Sequence, residues 1–228
     1  MLIIGHRGAS GIEPENTIRS FKKAEEAGVD MIELDVRRSK DGEIVVVHDS
    51  DLLRIFGDPR TIRSLTLAEI KRVSTEYNRE IPTLDEVLAN IRTDLNIEIK
   101  VHGIEQQVLS KIKNFPHKVL ISCFYPGILK KLRTLDEKIG LALLLGVKRF
   151  HIIGVAGYYA KKLKLAAIHP NNNLVFPAII ALLRLSGSKI NVYTVNSKRE
   201  YERMKKLKVD GIFTNYPELM KQYEDSRI

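Results

Sequence analysis

The 228 residues contain a single cysteine, Cys123. No internal disulfide can form, no partner thiols complete a zinc site, and a reducing compartment, the cytoplasm, is expected. No apolar run approaches the roughly 20 residues a membrane span requires. The longest, Phe176 to Leu183 and Leu141 to Leu145, fall well short, so no stable membrane insertion is expected. His6 and Arg7 break the opening apolar stretch of MLIIGHRG early, which argues against a signal peptide. Low-complexity stretches, linkers and internal repeats are missing too, and one domain over residues 1–228 is the expectation. A net charge of +9 suits an anionic partner, yet no dense basic run with interleaved aromatics accompanies it. The Lys-Lys pairs at 22–23, 130–131, 161–162 and 205–206 fall along predicted helices, which favours solvated outer faces over nucleic-acid binding.

What is present is an alternation. Runs with β character cover Leu2 to Gly5, Met31 to Val36, Leu95 to Ile99, Val119 to Cys123, Ile139 to Leu144, Ala166 to His169, Ile190 to Val195 and Gly211 to Thr214. Helical patterns lie between them, including Glu15 to Ala27, Thr83 to Arg92, Ile104 to Asn114, Pro126 to Arg133, Pro177 to Leu185 and Lys198 to Leu207. Strands separated by helices form a parallel sheet, and eight of them predict a closed α/β barrel of the TIM (β/α)8 type. Glu43 to His48 is an extra run. The Lys40-Asp41-Gly42 turn is too short for a parallel crossover, so this run predicts a hairpin strand that returns His48 toward the strand carrying Glu33. Asp49 to Pro82 shows no clear strand and one short amphipathic segment, Leu67 to Val73, and is expected to be a small irregular insertion at the barrel mouth.

In Ile32-Glu33-Leu34-Asp35-Val36 apolar residues alternate with acids, so a strand sends both carboxylates to one face, inward in a barrel. Ile97-Glu98-Ile99-Lys100 repeats the arrangement with a third acid and a cation. Buried carboxylates this close repel one another and need protons, cations or a metal. Three hard oxygen donors favour Mg²⁺ or Ca²⁺, while a buried ion-pair network with Lys100, Arg7 or Arg37 fits the same spacing. Gly5-His6-Arg7-Gly8 ends the first strand at the rim where barrel active sites lie, and His48 ends the hairpin. Two histidines suit proton transfer in phosphodiester cleavage, and Arg7 and Lys100 supply positive charge for phosphoryl oxygens. In Pro14-Glu15-Asn16-Thr17, helix capping is the plainer reading of Asn16 and Thr17, although Glu15 falls on the same rim.

Together these segments resemble the glycerophosphodiester phosphodiesterase family. The matching motifs are HRG at 6–8, PENT at 14–17, ELDV at 33–36, KDG at 40–42, VVVHD at 45–49, EIK at 98–100, NVYTVN at 191–196 and DGIFTNYPE at 210–218. The resemblance implies a TIM barrel that hydrolyses glycerophosphodiesters to sn-glycerol 3-phosphate and an alcohol. It also implies roles: Glu33, Asp35 and Glu98 as ligands of one divalent cation, Mg²⁺ or Ca²⁺, His6 and His48 as the acid/base pair, and Arg7 and Lys100 as phosphate contacts. Glu15 is carried over as a rim residue that orients a histidine or a substrate hydroxyl. The chain departs from the pattern at Tyr193, where Trp is usual, and at Asn215, where Asp is common. Tyr193 is a candidate for lining the glycerol or headgroup pocket, against the plainer reading of a strand aromatic.

Two other functions compete. A phospholipase D-like cleavage of lysophospholipids needs an apolar mouth, for which Leu52, Leu53, Ile55 and Phe56 are candidates. A non-catalytic barrel that only holds anions has no use for the acid and histidine set.

Overall fold

The structure is a computed structural model and describes residues 1–77, 79–147 and 153–226. Its strands are β1 (Leu2–His6), β2 (Met31–Arg38), β3 (Ile44–Val46), β4 (Asp51–Leu52), β5 (Asp58–Thr61), β6 (Asp94–Ile99), β7 (Val119–Cys123), β8 (Gly140–Leu145), β9 (Ala167–Pro170), β10 (Lys189–Val192) and β11 (Gly211–Thr214). Its helices are α1 (Ile18–Glu26), α2 (Leu53–Phe56), α3 (Leu67–Glu76), α4 (Leu84–Asn90), α5 (Glu105–Ile112), α6 (Pro126–Leu135), α7 (Ile153–Leu163), α8 (Pro177–Arg184), α9 (Lys198–Lys206) and α10 (Pro217–Asp225). Among the described residues β1, β2 and β6 through β11 run parallel, and β1 closes the ring by pairing with both β2 and β11. The fold is a TIM barrel, as the alternation implied.

Strand periodicity sorts the side chains into two layers. Ile32, Leu34 and Val36 of β2, Leu95, Ile97 and Ile99 of β6, and Ile190 and Val192 of β10 pack outward in one cluster with the helices. Each such burial contributes roughly 1.5–3 kcal/mol. The alternate residues point into the barrel. The paired lysines lie on α1, α6, α7 and α9, and all but the half-buried Lys23 are exposed, as solvated faces require. Among the described residues no helix is long and apolar enough to cross a membrane.

Element ends differ from the sequence pattern where side-chain chemistry decides them. Thr17 caps α1, accepting the Ser20 amide at 3.1 Å, so the helix starts at Ile18 and Glu15 and Asn16 stay in the loop. The strand expected to reach Val195 stops at Val192. α10 was not expected, and of α7 only the stretch around Lys161 and Lys162 was; Gly154 and Gly157 dilute the helical signal at its start.

The hairpin forms. β3 pairs antiparallel with β2, Val36 opposite Val46 and Arg38 opposite Ile44, and the Val47 amide donates to the Asp35 carbonyl at 2.9 Å. Gly42, at φ 95°, takes the left-handed conformation the turn needs. Successive residues of this strand enter different cores: Ile44 and Val46 join the main cluster, whereas Val45 and Val47 join a second one.

That second cluster corrects the expectation of an irregular insertion. β4 and β5 form a two-stranded antiparallel sheet joined by α2, and α3 extends Leu67 to Glu76. Leu52, Phe56, Ile62, Leu65, Ile70, Val73 and Ile81 bury against Val45 and Val47. Strands this short, one carrying Pro59, leave almost no periodic signal. Leu52 and Phe56 are thus packing residues, and among the four proposed mouth residues only Leu53 is exposed.

Inside the barrel the Asn96 amide donates to Ser122 Oγ at 2.9 Å, and Asn191 Nδ2 lies 3.3 Å from His169 Nε2. Burial pushes His169 from its ordinary 6.5 down to about 3. The native state therefore holds this imidazole neutral while the unfolded chain protonates it, so stability falls as pH drops below 6.5 toward 3. This one group should contribute a slope of about 1.4 kcal/mol per pH unit, a slope that urea unfolding of His169→Gln would lack.

Candidate active site

Register brings the acids together. β2 and β6 pair with Asp35 opposite Glu98 and Glu33 opposite Asn96, and β1 sets His6 opposite Glu33. Glu33, Asp35 and Glu98 are buried, and one oxygen from each lies within 4.8 Å of the others. Lys100 Nζ sits 2.9 Å from Asp35 Oδ1 and 2.5 Å from Glu98 Oε1. Arg7 Nε sits 3.3 Å from Asp35 Oδ2. Three carboxylates meet only two cations in this buried cluster, so one acid is left without a cationic partner of its own.

The carboxylates respond unequally. Burial, together with Asp35 and Glu98, raises Glu33 well above the usual carboxylate range, and burial raises Glu98 to about 7. Asp35 is just as buried, but Lys100 and Arg7 hold it well below that range. The ion-pair reading thus accounts for Asp35, while among the described residues no Lys or Arg side chain pairs with Glu33, and His6 Nε2 lies 4.0 Å from it. Donors of one Mg²⁺ or Ca²⁺ ion lie about 2.0–2.6 Å from it, so oxygens within 4.8 Å of one another fit a shared ion. Hard oxygen donors, the acid left without a cationic partner and the spacing all suit a divalent cation.

His6 Nδ1 is 2.7 Å from Asn215 Oδ1. An amide oxygen only accepts, so Nδ1 carries the proton and Nε2 keeps its lone pair toward Glu33. Burial and the Arg7 guanidinium lower His6 to about 4. His48 Nδ1 instead meets the Asp49 carboxylate at 2.6 Å, and burial also lowers this imidazole. Arg37 grips the His48 carbonyl through Nε and Nη2, at 2.9 and 2.7 Å, and forms no ion pair with the acids.

The loop after β1 is bent to serve the cluster. Arg7 (φ 55°) and Asn16 (φ 58°) both take left-handed backbone conformations that cost a side-chain-bearing residue energy. Arg7 thereby aims its amide at Glu33 Oε2, 2.8 Å away, and Asn16 Nδ2 donates to Asp35 Oδ2 at 2.9 Å. A Cβ at Gly8, φ 81°, would fall 2.6 Å from the Ser20 carbonyl carbon, so only glycine lets this loop lie on α1. Glu15 Oε1 accepts from Arg7 Nη1 at 3.0 Å.

His6, Arg7, Glu33, His48, Glu98, Lys100 and Tyr193 line one cavity of about 180 Å³ with Asn96, Phe124, Asn171 and Phe213. A second hollow of about 410 Å³ shares Glu98, Lys100, Phe124 and Asn171 and opens past Tyr125 and Val147. The Tyr193 hydroxyl donates to the Leu145 carbonyl at 3.1 Å, which turns its ring into the cavity. Of the candidate residues, Asp35 and Glu15 lie behind this wall and act on it through Arg7 and Lys100. Sequence reasoning missed Asp49, Asn215 and Arg54 as partners of site residues. Asp49 stood inside the VVVHD motif, and Asn215 was visible only as a departure from the family pattern.

The model of the glycerophosphoryl diester phosphodiesterase family matches residues 6–219. The glycerophosphodiester phosphodiesterase of Caldanaerobacter subterraneus subsp. tengcongensis is 36% identical, covering 96% of each chain. The crystal structure of glycerophosphodiester phosphodiesterase from Thermotoga maritima superposes with a TM-score of 0.87 at 30% identity, covering 98% of each chain. A phosphodiesterase of Oleispira antarctica, solved with the product sn-glycerol-3-phosphate, superposes at 0.89 and 26% identity, covering 99% of this chain and 97% of its own.

Proposed function

The chain belongs to the glycerophosphoryl diester phosphodiesterase family of phosphoric diester hydrolases, and we propose that it cleaves glycerophosphodiesters to sn-glycerol 3-phosphate and an alcohol with one divalent cation. The observation that carries this reading is the buried cluster of three acids against two cations, with His6 and His48 lining the same cavity. The product held by the Oleispira antarctica relative supports glycerol 3-phosphate as the common product. A single buried cysteine supports a cytoplasmic setting.

Glu33, Asp35 and Glu98 would hold the cation, Mg²⁺ or Ca²⁺. When bound, it supplies positive charge to the phosphoryl oxygens and acidity to the attacking hydroxyl. Arg7 and Lys100 fix the phosphate and stay charged because Asp35 backs both. His6, neutral with a free Nε2, takes the proton of the attacking hydroxyl. His48, backed by Asp49, donates a proton to the departing alkoxide. Tyr193 lines the substrate pocket, and Glu15 orients Arg7. The burial of Leu52 and Phe56 removes half of the apolar mouth that lysophospholipid cleavage would use.

The test is a panel of glycerophosphodiesters and lysophospholipids assayed with and without chelator, reading glycerol 3-phosphate against free headgroup. Chelation should abolish turnover of glycerophosphocholine, and Mg²⁺ or Ca²⁺ should restore it. Equal rates on lysophosphatidylcholine would favour the lipid-cleaving alternative. Cation binding near pH 6 should also release protons, since Glu98 holds one up to about 7. Calorimetry in buffers of different ionisation enthalpy reads that release, and a buffer-independent heat would remove these acids as ligands.

A further inference from the structure

We propose that Arg54 is a positioning residue for this reaction, a clamp on α2 that sets His48 and Arg7 from outside the cavity. Its guanidinium has three oxygen partners. Nε donates to Asp49 Oδ2 at 2.5 Å, Nη2 to Glu15 Oε1 at 2.5 Å and Nη1 to Glu15 Oε2 at 3.1 Å. Each carboxylate passes the contact inward. Asp49 Oδ1 receives His48 Nδ1 at 2.6 Å, and Glu15 Oε1 receives Arg7 Nη1 at 3.0 Å. Arg54 itself does not line the cavity.

Glu15 lies in the loop after β1 and Asp49 just beyond β3, so no shared backbone element holds these two acids side by side. Without a cation between them they repel, and each loses a charge-assisted bond. The planar fork of arginine spans both at once, which the single ammonium of lysine cannot do with bidentate geometry. α2 is held in place by its neighbours in the second core, where Leu52 and Phe56 are buried. The insertion thereby presents one guanidinium to two arms of the site.

The inference rests on His48 acting in proton transfer, and the experiment separates the two ideas. Kinetics on glycerophosphocholine with saturating Mg²⁺ are compared for the wild type and the His48→Ala, Arg54→Ala, Arg54→Gln and Arg54→Lys variants. Both neutral Arg54 variants should lose roughly 10–100-fold in kcat, the scale of a small misplacement of reacting groups. KM should change by less than about threefold, the sign of an interaction expressed in the transition state. Melting temperatures should stay within a few degrees, because exposed ion pairs contribute little stability. Added guanidinium at millimolar concentration should restore part of the Arg54→Ala rate and none of the His48→Ala rate, with Arg54→Lys between. Full activity in Arg54→Ala beside an inactive His48→Ala overturns the clamp alone. A loss that guanidinium does not restore and that tracks a fall in melting temperature overturns it too. An active His48→Ala removes the underlying reading instead.

Discussion

Replacing His48 by alanine should lower kcat on glycerophosphocholine roughly 10²–10⁴-fold, about 3–5 kcal/mol of barrier, while the protein stays folded. The side chain is one-third exposed and already borders the open cavity, so its removal leaves the hydrophobic cores as they are. What it removes, on the proposed mechanism, is the proton donor, an imidazole bound by Asp49 and carried on a backbone whose carbonyl Arg37 holds. A choline alkoxide is a poor leaving group and needs that proton, whereas p-nitrophenolate leaves without help. The same variant should therefore keep most of its activity on a p-nitrophenyl phosphodiester. His6→Ala should lose a comparable factor on both substrates, because every nucleophilic hydroxyl must be deprotonated whatever leaves. Equal loss on both substrates for His48→Ala would exchange the two roles.

Removing acids from the cluster should give opposite effects on stability and the same effect on cation binding. Asp35→Ala takes from Arg7 and Lys100 the carboxylate they share at 3.3 and 2.9 Å and leaves each with one acid, Glu15 and Glu98. Breaking a buried pair costs about 3–5 kcal/mol, and a domain of this size melts about 2–4 °C lower for each kilocalorie lost. Glu33→Gln keeps a neutral, similarly shaped group that still accepts from the Arg7 amide and matches the protonated form that burial, Asp35 and Glu98 favour for this acid. The metal-free Glu33→Gln protein should melt at or above the wild type, while Asp35→Ala melts well below it. Both should lose measurable Mg²⁺ and Ca²⁺ binding by calorimetry. Scanning calorimetry of the chelated proteins checks the order, and a destabilised Glu33→Gln would refute a neutral Glu33 in the metal-free protein.

How far the sequence carried these conclusions depended on range. The barrel strands were legible because Ile-Glu-Leu-Asp and Ile-Glu-Ile-Lys alternate with a period of two, and the same alternation put three acids in one lumen. The hairpin was legible from Lys40-Asp41-Gly42 alone. β4 and β5 were not, because two- and four-residue strands carry no period, and only Leu52 of β4 joins the second core with Val45 and Val47. Asn16 read as a helix cap because caps are common there, yet Thr17 caps the helix and Asn16 binds Asp35, a contact across 19 residues. The link between Asn215 and His6 spans 209 residues and depends on ring closure, which local patterning does not encode.

Strand β3 belongs to two neighbourhoods in alternate residues, and this gives the enzyme a way to diversify. Positions 44 and 46 answer to the barrel; positions 45 and 47 answer to the insertion. A lineage can reshape what overhangs the mouth while preserving two apolar side chains and the few bonds to the hairpin, such as the Lys40 amide to the Leu65 carbonyl at 2.7 Å. The strictest demand falls on the guanidinium between Glu15 and Asp49. There the peripheral module and the reaction centre share an atom-level contract, and a new insertion must supply the same charge at the same point.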